Sequence, residues 1–449
     1  MHRIAALTIA ALLPATLVAQ QRLEYEDYHL ENGLHVILVE DHSVPIVTVD
    51  IWYNVGSANE RPGRSGFAHL FEHMMFQGSA NVGKAEHIQL VQRAGGTVNG
   101  TTNEDRTDYF QTLPANRLNL GLWLEADRMR SLAVTQENLD NQRNAVQEER
   151  RLRVDNQPYA PAFLESSTML YDSTDCFAYA HTVIGSMEDL DAADLTDVQD
   201  FFAQYYSPAN ATLTLVGDFD PDNTRDLIQQ YFGDIPSREQ PAAAMCEWSV
   251  GTQPMTMVWE DALANLPAVI IAYRTPGHAS REARALQMLN LILGSGETSR
   301  LNRRMVRDER TAAVAATQYA SNRHGSPLAA VAIANQGIDP VILVTQIQES
   351  IADVRENGIT EEELERAKNS FRSSNILGLQ TTHAVAQRVQ HYVHYHESLD
   401  EMHTDLDEYM SITTDDVLRA AQTYLIPENS LTITVVTKGT TDAPVPDTL

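Results

Sequence analysis

The chain has 449 residues, 43% of them hydrophobic, which is enough to bury substantial cores and too long for one ordinary domain. Its 61 acidic residues against 32 basic ones give a formal charge of −29, and only Lys84, Lys368 and Lys438 are lysines. That balance argues against nucleic acid and anionic membrane as partners. It fits solubility or a salty habitat, with attraction of basic peptides as the sharper alternative.

Met1, His2 and Arg3 precede an uncharged, mostly apolar run over residues 4–18, the form of a secretory leader. Ala19 is the expected cleavage residue, although Leu17 is large for its place. The run falls short of the ~20 apolar residues that a spanning helix needs, and no later stretch qualifies, so no stable membrane span is expected. The leader implies export, to the periplasm if the source is bacterial, with an uncleaved anchor as the alternative. Cys176 and Cys246, the only cysteines, can pair in an oxidising compartment but make no disulfide framework. No metal role is expected of them.

Residues 30–40 and 45–55 are rich in β-branched and aromatic side chains and predict two strands around a turn at Asp41, His42 and Ser43. A Gly/Pro loop over 60–66 leads into Phe67-Ala-His-Leu-Phe-Glu-His-Met-Met75. On a helix, His69 and His73 stand one turn apart on one face, the spacing with which two imidazoles grip one metal ion. Glu72 lies where its carboxylate can reach water at that ion. The pentad H-x-x-E-H is the inverted counterpart of the H-E-x-x-H zinc signature. By itself it leaves open a chance order of polar residues on a buried helix. A site of this kind needs one further carboxylate.

Residues 85–94 predict a helix stopped by Gly95 and Gly96, and residues 97–113 alternate as one strand. Residues 135–154 predict a helix capped near Thr135 and ended before Pro158, on which Gln142, Val146 and Glu149 share a face. These segments together, H-L-F-E-H-M-M-F-Q-G, A-G-G-T-V-N-G-T-T-N-E-D-R-T-D-Y and N-A-V-Q-E-E, resemble the pitrilysin family of zinc peptidases. Within it, they resemble the short two-domain branch that includes the mitochondrial processing peptidase and its bacterial relatives.

The resemblance implies that Glu149, the second of the Glu pair, is the third zinc ligand, with Glu148 the weaker candidate. It implies one zinc per chain, Glu72 as general base, and an extended peptide adding to the sheet edge at Asn99, Gly100 and Thr101. Gln142 stands where the family usually has a supporting Glu. In the second half the resemblance assigns Arg307 to the substrate, but the Tyr expected seven residues later is Val314. This pattern suggests either a homodimer or the zinc-bearing member of a heterodimer whose paralogous partner supplies an Arg/Tyr pair. A non-catalytic peptide-binding or scaffold subunit is the rival reading.

Asp197, Val198, Tyr205, Pro208 and Asn210 recur as Asp416, Val417, Tyr424, Pro427 and Asn429, all at an offset of 219 residues. One repeat of that length means two copies of a domain. The expected fold is α+β: two homologous domains, each a mainly antiparallel sheet packed with helices, forming a clam-like half-chamber. The expected division is a leader to residue 19, a zinc domain over 20–236, a linker over 237–258, a metal-free repeat over 259–440 and a tail over 441–449. Residues 281–293 predict an amphipathic helix in place of the metal pentad. His391, His394 and His396 invite a second metal site, against which stands a packing face of imidazole and aromatic rings.

Overall fold

The computed structural model describes residues 22–438, so the expected leader and tail lie outside the described residues. The first half builds a six-stranded sheet from β1 (Glu26–His29), β2 (His35–Glu40), β3 (Ile46–Tyr53), β4 (Thr97–Thr102), β5 (Thr107–Pro114) and β6 (Ala211–Gly217). Its order is β1-β2-β6-β3-β5-β4. The second half builds a five-stranded sheet from β7 (Met255–Asp261), β8 (Ala268–Pro276), β9 (Ala312–Tyr319), β10 (Gly325–Ala334) and β11 (Ser430–Thr437), ordered β7-β11-β8-β10-β9. Each sheet is antiparallel except for one pair, β2 with β6 and β7 with β11. The shared topology bears out two copies of one α+β fold. β7 begins inside the stretch expected to be linker.

The repeated residues do the same work in both halves. Asp194 and Thr413 cap helices through the main-chain N–H groups of Asp197 and Asp416, whose carboxylates reach back to close the boxes. Those carboxylates also pair with arginines, Arg64 with Asp197 and Arg281 with Asp416. Asn210 donates to the Tyr205 carbonyl and Asn429 to the Tyr424 carbonyl, each fixing the turn before the last strand.

Two sequence expectations change. Residues 97–113 are not one strand but a hairpin, β4 and β5 joined through Asn103, whose side chain accepts from the N–H groups of Asp105 and Arg106. Both strands alternate, so periodicity alone does not reveal the reversal. Of this segment only β4 lies at an edge of the sheet, β1 forming the other edge. The short strand β1, outside the expected elements, pairs with β2.

Helices α1 (Phe67–Met74), α2 (Glu86–Arg93), α3 (Leu118–Ser131) and α4 (Gln136–Arg150) accompany the first sheet. Val47, Val49, Ile51 and Tyr53 on β3 point into a core shared with Leu70, Phe71 and Met74 of α1. The opposite face is covered from the other half of the chain. Helix Thr382–His391 lies across it, with Ala386 and Val389 packed on Ile37, Val39 and Val216. In return α5 (Ala160–Thr168), from the first half, packs on β8 and β11. The halves thus exchange a helix, and a disulfide between Cys176 and Cys246 closes the connection, 70 residues apart in sequence.

Beside these apolar contacts, part of the surface beneath Thr382–His391 is polar. Gln387 Nε2 donates to Asp50 Oδ2 at 2.9 Å and to Asp108 Oδ2 at 2.8 Å, both carboxylates being fully buried. Burial, and then the neighbouring Asp108, hold the Asp50 carboxyl well above its ordinary range. A carboxyl with a raised folded-state pKa binds its proton more tightly folded than unfolded. It therefore stabilises the fold at low pH, and that contribution is lost as pH rises from the unfolded value towards the folded one. Asp50→Asn should remove this pH dependence and gain in relative stability at neutral pH. Urea unfolding at pH 5 and pH 7.5 checks it; an identical pH trend in parent and variant contradicts it.

Candidate metal centre

The metal helix starts at Gly66, which has φ 85° and no side chain to cap the first turn. Glu60 replaces that cap from the preceding loop. Its carboxylate accepts from the N–H of Gly66 at 2.8 Å and of Ala68 at 2.7 Å, and His181 Nε2 lies 3.0 Å from the same group. A carboxylate on a helix N-terminus satisfies free N–H groups and favours the helix dipole.

Gly66 lies against Gly185, backbone on backbone. A Cβ on Gly185 would meet Gly66 Cα and Ser65 O at 2.5 Å, and Gly185 has φ 74°. Arg150, at the end of α4, donates to the Gly185 carbonyl. Thr135 caps the other end of α4 as expected, its hydroxyl accepting from Asn138 N–H. The start of α1 and the end of α4 are thereby held at one point, and this registers Glu149 against α1.

The outcome is one converging group. Glu149 Oε2 is 3.2 Å from His73 Nε2 and 3.7 Å from His69 Nε2, and the three ligand atoms lie within 4.8 Å of one another. Zinc bonds of ~2.0–2.1 Å in a tetrahedron place ligand atoms about 3.4 Å apart, so the group fits zinc with little movement. Burial, then His73, bring the His69 imidazole down to about 4, so it is neutral at ordinary pH, the form that ligates. The other oxygen of Glu149 pairs with Arg153 at 2.8 Å. Glu148 points outward to Arg151.

Glu72 projects beside the group towards the sheet. Thr102 donates its hydroxyl to Glu72 Oε2 at 2.6 Å, and a Cβ on Gly100 would stand 3.2 Å from Glu72 Cγ. Burial raises the Glu72 carboxyl to about 7, against the opposing Thr102 hydrogen bond and with Asp108 and Glu149 adding to it. Gly100 and Thr102 thus face Glu72, whereas Thr101 turns to Asp108 on the other side of β4, and Asn99 is exposed. Gln142 is half-buried on α4, and its side chain forms no hydrogen bond among the described residues. Arg307 is exposed on the second half and makes no contact with the group among the described residues. Val314 sits 47% exposed on β9, the edge of the second sheet.

Thr102, Glu60, His181, Arg153 and Gly185 were not identified from the sequence. A signal existed for one of them: a helix opening on Gly66 without a capping side chain requires a cap from elsewhere. The histidines near 391 pack instead of ligating. His278, His391 and His396 rings lie 5.0–6.0 Å apart, and both nitrogens of His278 face main-chain carbonyls.

Two sheets of repeated topology, with an H-x-x-E-H helix in the first half alone, define a two-domain protein of the inverted zinc-motif class. The model for Insulinase (Peptidase family M16) matches residues 35–171, and that for the Peptidase M16 inactive domain matches residues 192–371. The two together span more than half of the chain, which belongs to this peptidase family. The zinc protease PqqE of Helicobacter pylori is 28% identical over 94% of this chain and 95% of its own. The uncharacterized zinc protease YmxG of Bacillus subtilis is 24% identical over 85% of this chain and 91% of its own. Among solved structures, a protease from Helicobacter pylori has 27% identity and a TM-score of 0.86, covering 92% of this chain and 99% of that one.

Gly185→Ala forces a Cβ onto the Gly66 backbone from an unfavourable φ. It should weaken zinc retention and cost more than about 1 kcal/mol in stability. Metal analysis after dialysis and a thermal melt measure both; unchanged values would remove the glycine contact from the construction of the site.

Proposed function

We propose that the protein is an exported zinc endopeptidase acting on short or unfolded peptides. The observation that carries this reading is the convergence of His69, His73 and Glu149 beside a buried Glu72. Zinc at this group supplies Lewis acidity, lowering the pKa of adjacent water towards ~7 and polarising the scissile carbonyl.

The chain's own residues do the rest. Glu72, fixed through Oε2 by Thr102, takes the proton of the attacking water and delivers it to the leaving amine. The peptide lies extended along β4, hydrogen-bonded through its main chain with little regard to sequence. The exposed position of Asn99 and the closeness of Gly100 to Glu72 support that placement. Arg307, exposed and without an ion-pair partner among the described residues, is available to substrate from the second half.

Export is supported by the leader-like sequence and by the Cys176–Cys246 disulfide, which persists in oxidising compartments. No described helix is long and apolar enough to cross a membrane. A periplasmic protease, PqqL of Escherichia coli, shares the fold at TM-score 0.76. For assembly, the mitochondrial-processing peptidase subunit beta of Bos taurus is 24% identical over 60% of this chain and 54% of its own. A two-chain enzyme, with a paralogous subunit providing the hydroxyl that Val314 lacks, is the form we favour over a homodimer.

Glu72→Gln should retain zinc and lose peptide hydrolysis by at least ~10²-fold. Glu149→Gln should lose the zinc of the His69/His73 group, while Glu148→Gln should keep it. Hydrolysis of a mixed peptide pool and elemental analysis read these outcomes. Activity of Glu72→Gln within tenfold of the parent contradicts the general-base role. Zinc lost by Glu148→Gln and kept by Glu149→Gln contradicts the ligand set.

The isolated chain should be a weak peptidase, and either Val314→Tyr or an added paralogous subunit should raise its rate. One missing transition-state donor commonly costs ~10²–10³ in rate. A rate unchanged by both additions refutes the two-chain form and leaves the zinc assignment intact.

A further inference from the structure

A second cluster suited to a metal ion lies on the β1–β2 hairpin. Among the described residues, one ligand atom each from Asp27, His29 and His35 fall within 4.8 Å of one another. The strand register sets His29 directly opposite His35. Directly opposed residues of an antiparallel pair share a face with Cβ atoms ~4.5–5.5 Å apart. Asp27, two residues before His29, is on that face too. The two imidazoles lie nearly parallel, centroids 4.2 Å apart at 5°, and His35 Nε2 is 2.6 Å from Asp27 Oδ1.

The scaffold is fixed independently of any ion. Leu30 N–H donates to the Leu34 carbonyl, and Gly33 turns the chain at φ 88°. Asn32 ties the tip to the body by donating to the carbonyls of Phe232 at 2.7 Å and Ile235 at 3.1 Å. An His35–Asp27 hydrogen bond accounts for two of the three side chains but not for His29, which is exposed and whose ring, stacked on His35, forms no side-chain hydrogen bond among the described residues. His29 and His35 also line a cavity of about 360 Å³ that reaches Gln390 and His394 of the second half, with room for water.

We propose that Asp27, His29 and His35 bind a second zinc ion, completed by water, that clasps β1 to β2. Two imidazoles with one carboxylate favour zinc and similar borderline cations over calcium or magnesium, which prefer all-oxygen sets. The capacity would then be two ions per chain instead of the one that the H-x-x-E-H motif implies. The site is independent of the proposed peptidase chemistry.

Metal-stripped full-length protein should be titrated with Zn²⁺, desalted and assayed for bound metal. Two equivalents are expected for the parent, one for His29→Asn/His35→Gln, one for Glu149→Gln, and none for the triple variant. The double variant should hydrolyse peptides as the parent does. Added Zn²⁺ should raise the melting temperature of Glu149→Gln and leave the triple variant unmoved. If the double variant retains as much zinc as the parent, or Glu149→Gln shows neither bound zinc nor a melting shift, the second site is refuted. If only Glu149→Gln keeps the parental stoichiometry, the H-x-x-E-H assignment fails while the hairpin site stands.

Discussion

The site depends on a contact between two glycines. Gly66 and Gly185 pack with no side chain between them, and Arg150 grips the Gly185 carbonyl. The start of the helix carrying two histidines and the end of the helix carrying Glu149 thus meet at one point. Separate helices would otherwise have to hold three ligand atoms within 4.8 Å through the packing of flexible side chains. Buried Glu60 completes the arrangement by capping α1 where its own sequence offers no cap. A metal site needs ligands held to a fraction of an ångström, and backbone contact is the stiffest means the fold has.

Burial then sets the chemistry. The same desolvation lowers the His69 pKa to about 4 and raises the Glu72 carboxyl to about 7. Thr102 orients Glu72 from the edge strand, so in the proposed mechanism the group that moves the proton and the strand offered to a peptide are parts of one unit. A peptide bound along β4, as proposed, would lie beside Glu72.

The exchange of helices joins the halves more closely than a linker does. Thr382–His391 covers the first sheet and α5 the second, so each half completes the other's packing. The face beneath Thr382–His391 carries Asp50 and Asp108, whose oxygens share Gln387 Nε2. Buried carboxylates are costly unless they are paired or hydrogen-bonded. The position of Gln387 therefore fixes how that helix lies on the sheet, and with it the junction between the halves.

Much was legible in the sequence because it depends on local spacing. The H-x-x-E-H pentad places two imidazoles on one helical face wherever that helix sits, and Thr135 caps α4 using residues three positions away. The repeat of Asp, Val, Tyr, Pro and Asn at a fixed offset reports two copies of a domain because Asp closes a capping box, Val packs in the core and Asn holds the turn in each half. Choosing Glu149 over its neighbour came from the family resemblance, since helical period alone leaves the partner helix unknown. Tertiary structure decided what distant segments meet: the Gly66–Gly185 contact, Glu60 as a cap, Thr102 on Glu72, the helix exchange and the pairing of Cys176 with Cys246. It also decided the hairpin within residues 97–113, because two adjoining strands and one long strand carry the same alternation. Period and spacing encode the face a side chain occupies; what that face meets is set by packing across the fold.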